Sequence, residues 1–166
     1  MQIQITNAFA NLNANMLAKQ LAWFEARQAA VVAYYTSAER KATLDALRHT
    51  PRGEAQAVRD ADREELVSLA GGEGWLSAAF ANPKAEHRLA FITKNINGII
   101  ARRDAQIIKA LTKVGVTSIP EFELYEISDG VEGMFEVAGH TVTIRTILAG
   151  GYNIQCLHTR TLVRVS

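Results

Sequence analysis

Cysteine is nearly missing from this chain of 166 residues, and carboxylates are wholly missing from its last thirty, Val137 to Ser166. The single cysteine, Cys156, excludes an intramolecular disulfide and leaves a thiolate zinc site short of ligands. No run of about 18 apolar residues exists to span a bilayer. The opening MQIQITNAFANLN has neither the basic start nor the apolar core of a secretory signal, so a cytoplasmic location is expected. Aromatics are sparse at 7%, and a net charge of +1 argues against a general duplex-coating protein. What is present is charge sorted along the chain. The sixteen residues Glu121 to Glu136 hold six acids and no Lys or Arg, and the carboxylate-free tail after them carries Arg145, Arg160, Arg164, His140 and His158.

The hydrophobic content of 48% suits one domain, residues 1–166, with a mainly helical part to 115 and a sheet part from 116. Met1, Ile3 and Ile5 alternate with polar residues as a short strand would. Leu12 to about His49 keeps helical spacing through Met16, Leu17, Leu21, Phe24, Val31, Tyr35, Leu44 and Leu47, predicting one long helix or two end to end. Thr50-Pro51-Arg52-Gly53 breaks it, and a second helix, Glu54 to Ala70, stops at Gly71-Gly72-Glu73-Gly74. Asn82-Pro83 reads as a capped helix start, and the helix should run to Val114 with Gly115 as its stop. Lys84, Arg88, Asn95, Arg102, Gln106, Lys109 and Lys113 recur along it as a polar stripe. Gly98 in its interior predicts a bend or a close backbone approach.

Beyond Ile119-Pro120 the period becomes two. Residues 122–127, 131–137, 140–148 and 152–158 read as strands joined by turns at 128–130, 138–139 and 149–151, which makes an antiparallel meander and an α+β fold of long helices packed against it. Val142, Ile144 and Leu148 share one face of the third strand, and Thr141, Thr143, Arg145 and Ile147 the other. A continuation over Thr161 to Val165 would need a bulge, which leaves the faces of Arg160 and Arg164 open.

Catalytic signatures are weak. Cys156 and His158 alternate onto one strand face about 6 to 7 Å apart, too far for a direct hydrogen bond. His49, His87, His140 and His158 show no tight ligand pair, so no metal and no cofactor are expected. The Gly-rich stretches lack the Lys-Ser or Lys-Thr that opens a phosphate-binding helix and read as turns. Glu123, Glu126, Asp129, Glu132 and Glu136 read more simply as a solvated strand face than as general acids and bases. A small hydrolase is the weakest reading.

Two basic elements remain. From Lys84 to Lys113 seven Lys or Arg stand against Glu86 and Asp104, and the tail adds its arginines. Lys and Arg neutralise phosphates, and aromatic rings stack on exposed bases. The candidate nucleic-acid residues are Arg102, Arg103, Lys109, Lys113, Arg145, Arg160 and Arg164 for phosphates, with Tyr152 stacking and Tyr125 and Phe135 nearby. The tail GHTVTIRTILAGGYNIQCLHTRTLVRV resembles the C-terminal segment of small proteins of bacterial viruses. The helix-then-sheet plan resembles the single-stranded-DNA-binding RNA polymerase cofactors (Drc) of Enquatrovirus-like bacteriophages. The resemblance implies a non-enzymatic protein of the host bacterial cytoplasm that binds single-stranded DNA without an OB barrel and helps a phage RNA polymerase at early or middle promoters. The chain departs from other single-strand binders in lacking a dense row of aromatics and an acidic C-terminal tip. The competing expectation is a phage protein that occupies a basic surface of a host protein with its acidic sheet edge. Long apolar helices also predict a homodimer or larger assembly.

Overall fold

The computed structural model describes residues 1–150 and 157–166. It is an α+β fold: six helices come first, and a four-stranded antiparallel sheet of order β1-β2-β3-β4 follows. Residues 1–21 with 90–166 form one compact unit and residues 22–89 a second.

The sheet-bearing unit opens with a helix where local alternation predicts a strand. Helix α1, Gln2–Ala8, runs almost directly into α2, Ala10–Tyr35, with the Asn13 amide donating to the Phe9 carbonyl at 2.8 Å. The physical reason is the spacing of Ile5, Phe9, Leu12 and Met16, at steps of four, three and four. All four are buried, while Ile3 is 69% exposed. Three alternating residues are too few to outweigh that longer period. The other helix of this unit is α6, Ala85–Lys113, which buries Ile92, Ile96, Ile107 and Leu111. It ends as expected at Gly115, where the Val116 amide returns to the Leu111 carbonyl at 3.1 Å.

Strands β1, Leu124–Ile127, β2, Gly130–Val137, β3, His140–Ala149, and β4, Leu157–Val165, form a simple meander. Gly130 sits where any Cβ would collide with the Thr146 carbonyl, so the tight β1–β2 turn requires glycine there. Val131, Phe135, Val142, Ile144, Thr146, Leu148 and Thr161 are buried on the inner face. Phe122 and Phe135 pack with ring centres 4.8 Å apart and planes tilted by 39°. The expected bulge is present: Ile147 pairs with Arg160, but Leu148 pairs with His158, leaving Thr159 extra. The Thr159 hydroxyl donates to the Ile147 carbonyl at 2.8 Å and takes up the slack.

The helical unit, residues 22–89, takes the two-helix form of the expected Leu12–His49 stretch and corrects two other boundaries. The long helix breaks after Tyr35, because Ser37 donates to the Tyr34 carbonyl at 2.7 Å and accepts from the Arg40 amide at 3.2 Å, capping α3, Ala38–Asp45. A 3-10 turn, Ala46–His49, leads to the expected break before α4, Arg52–Ala70. Gly71, at φ +92, does end α4, but Glu73 and Gly74 are not a turn: they open α5, Glu73–Ala81. Asn82 does not start α6. Its side chain donates to the Ala78 carbonyl at 2.8 Å and closes α5 instead. The unit's core is Val31, Leu66, Ala70 and Leu76, with Trp75 edge-on to Trp23 at 4.9 Å.

Candidate nucleic-acid interface

The strand register fixes what the sequence left open. Tyr125 stands opposite Glu132, Glu132 opposite Arg145, and Arg145 opposite Leu162, so one row crosses all four strands. The next row is Met134, Thr143 and Arg164, and on the other side Ile147 faces Arg160. Alternation sets this whole group on the outer face, away from the buried set. Arg145, Arg160 and Arg164 therefore share a surface with Tyr125, Met134 and Leu162, whose exposures are 46%, 54% and 45%. Glu132, Thr143, Arg145, Leu162 and Arg164 line a shallow recess of about 130 Å³.

Charge sorted along the chain is not sorted in space at this row. Arg145 Nε lies 3.0 Å from Glu132 Oε2, and the Tyr125 hydroxyl donates to the other oxygen of the same carboxylate. The Tyr125 hydrogen bond, reinforced by Arg145, holds the Glu132 carboxyl below its usual range. Glu132 in turn pushes the Tyr125 phenol up. The central arginine of the tail is partly neutralised by the acidic stretch, leaving Arg160 and Arg164 as its more available cations.

The stripe on α6 divides. Gln106 Nε2 donates to the Thr161 carbonyl at 2.8 Å, fastening the helix beside β4, the edge strand. Arg102, Lys109 and Lys113, at i−4, i+3 and i+7 from Gln106, fall on the same side of the helix and are all exposed. The helical cations and the sheet arginines thus flank one strand. Arg88 belongs to the helical unit, where it donates to the Pro83 carbonyl at 2.8 Å and lies 3.7 Å from Glu25.

Arg103 leaves the surface set. It is 0% exposed, its guanidinium lies 3.9 Å over the Phe9 ring, and it donates to Asn13 at 2.7 Å and to Asp104 at 2.9 and 3.1 Å. Gln2 donates to the other Asp104 oxygen at 3.0 Å. With its donors engaged and no solvent exposure, Arg103 is an interior anchor and reaches no phosphate in this structure. Its spacing from the other arginines gave no hint of this, because Arg102 and Arg103 are neighbours on a helix and point about 100° apart. Close by, His158 Nε2 lies 2.7 Å from the Thr161 hydroxyl. Burial, then Arg103 and Arg102, pull its pKa below 6.5.

Gly98 makes no close backbone contact: a Cβ there would meet only the tip of Arg102, at 3.6 Å. Tyr152 and Cys156, the expected stacking ring and the lone thiol, lie outside the described residues. Met134 and Leu162 were not expected at the site. Their alternation with buried neighbours was visible, but placing Met134 beside Arg145 required the β2–β3 register, and placing Leu162 opposite it required the bulge in β4. Among the described residues, no group of three or more His, Cys, Asp or Glu is arranged to hold a metal ion, and no helix is long and apolar enough to cross a membrane. No protein-family model matches the chain, and neither a search of curated proteins nor one of solved structures finds a match.

Proposed function

We propose that this chain binds single-stranded DNA across the outer face of its sheet and the adjoining stripe of α6, and serves a phage RNA polymerase as a transcription cofactor. One observation carries the binding reading: Arg145, Arg160 and Arg164 share an open sheet face with exposed Tyr125, Met134 and Leu162, while Arg102, Lys109 and Lys113 run along the adjoining edge. Phosphates need a track of cations, and unpaired bases need apolar or aromatic surface between them. The face supplies both. Duplex DNA hides its ring faces and gains less from such a surface. The polymerase rests on the resemblance of the tail and of the helix-then-sheet plan, and on no contact in this molecule.

A fluorescence-anisotropy titration with a single strand, its RNA counterpart and its duplex tests the binding reading. Single-stranded DNA should bind most tightly, with affinity falling steeply as salt rises. Equal affinity for duplex and single strand removes the contribution of exposed bases. Tight binding of a protein partner that is insensitive to salt, with no binding of single strands, favours the host-protein reading instead.

A further inference from the structure

The two edges of the sheet are finished differently. Thr141 and Ser166 exchange both hydrogen bonds of their pair at 3.0 Å, so alternation along β4 turns the Thr161 carbonyl away from β3, where Gln106 of α6 donates to it at 2.8 Å. The β4 edge is thereby engaged. β1 is the other edge, and among the described residues no strand pairs with its far side. The turn Ser128-Asp129 joins β1 to β2, so Ile127 with Gly130 and Tyr125 with Glu132 form the hydrogen-bonded pairs. The amide and carbonyl of Leu124 therefore point away from the sheet. Along this edge runs a groove against the start of the helices. One recess of about 420 Å³ is lined by Gln4, Asn7, Ala8, Glu121, Phe122 and Glu123, and a second of about 160 Å³ continues it from Ala8 past Asn11 and Leu12 to Leu124.

We propose that this groove takes an extended segment of another protein that carries lysine or arginine, added to the sheet as a strand beside β1. An open strand edge is complementary to an extended backbone, because only that presents amides and carbonyls in step with its own. The helix wall answers the far side of the added backbone. Gln4, Asn7 and Asn11 follow at steps of three and four, their side-chain amides have no hydrogen-bond partner among the described residues, and each offers both donors and an acceptor. Charge selects the occupant. Glu121 and Glu123 are exposed and in no ion pair among the described residues, Glu126 lines the second recess, and neither recess is lined by a described Lys or Arg. Phosphates are repelled here. A second copy is also disfavoured: β1 against β1 sets these glutamates against their own kind, and the basic edge, β4, is engaged by Gln106 of its own chain. Along an added strand one set of side chains meets Glu121 and Glu123 and the next lies over Ala8, Leu12 and Leu124, so cations should alternate with small apolar residues. The site lies at the opposite edge of the sheet from α6 and does not depend on the DNA reading.

Fluorescence anisotropy of the full chain with a short labelled peptide alternating lysine and valine gives the test. The wild type should bind this peptide and bind its glutamate and valine counterpart at least tenfold more weakly. The same lysine peptide N-methylated at every residue keeps its charges and loses its backbone donors, and it too should bind at least tenfold more weakly. Glu121→Lys with Glu123→Lys should abolish binding. Leu124→Pro should weaken it at least tenfold with unchanged circular dichroism, because the amide it removes points away from β2 and serves no ladder bond. Failure of the wild type to bind the lysine peptide, equal binding of the N-methylated peptide, or wild-type affinity in the charge-reversed protein overturns the proposal. So does a dimer in sedimentation equilibrium that Leu124→Pro dissolves, since the edge would then belong to a second copy.

Discussion

Arg103 and Arg145 each lean on a carboxylate, yet one is sealed inside the sheet-bearing unit and the other stands on its open face. The side chains of Arg103 and Asp104 are 0% and 8% exposed, those of Arg145 and Glu132 44% and 17%. Their distances are nearly equal, 2.9 and 3.0 Å. The difference lies in the surroundings. Water screens the outer pair and competes for its hydrogen bonds, so that pair contributes little to folding and can exchange partners. The inner pair has no water to fall back on, so Arg103, Asp104, Asn13 and Gln2 must satisfy one another. One arginine specifies how α1 and α2 seat against α6, and the other is available for a ligand.

The two pairs should part most visibly in stability. Arg103→Met keeps the stem over Phe9 but strands Asp104, and should cost about 3 to 5 kcal/mol in urea denaturation. Arg145→Met should leave the same unfolding curve in place. Equal losses for the two variants would erase the distinction between the pairs.

Acid should separate the two faces next. Because burial keeps the folded-state pKa of His158 below 6.5, the unfolded chain takes up that proton first. The contribution is complete above pH 6.5 and declines as pH falls from there toward the folded value. The Glu132 contribution is present above its ordinary 4.5 and fades only below it. Melting temperature should therefore slip between pH 6.5 and 5 in the wild type and hold steadier in His158→Asn. An identical decline in both proteins would place the acid sensitivity elsewhere.

The smallest effect probes the outer pair from its solvent side. Glu132→Gln releases Arg145 without removing it and should tighten single-strand binding by no more than about fivefold, the range expected for an exposed ion pair. Weaker binding in this variant would show that Glu132 orients Arg145 and does not compete for it.

Much of this arrangement was legible in the sequence. The switch from helical to two-residue period located the sheet, and the short turns gave its order. The inner face of β3 followed from Val142, Ile144 and Leu148 alone. What stayed hidden depended on tertiary partners. The Gln2–Ala8 helix is decided by Ile5 burying in step with Phe9, Leu12 and Met16, which a window over three alternating residues cannot register. Asn82 looked like a helix start because Asn and Pro favour one, yet its amide was taken by Ala78. Arg103 looked like Arg102, since only the packing of Phe9 and Asn13 tells them apart. The face of Arg164 waited on the place of the bulge at Thr159, since the sequence suggested a bulge in this strand without fixing which residue it leaves extra.

The decisive measurement is anisotropy of a labelled single strand across a salt series with three folded proteins: wild type, Arg145→Ala with Arg164→Ala, and Lys109→Ala with Lys113→Ala. If sheet and helix form one track, each double variant should bind more weakly and flatten the salt slope by about 0.7 for each phosphate that it no longer neutralises. Wild-type affinity and slope in both double variants would contradict a nucleic-acid track on this face.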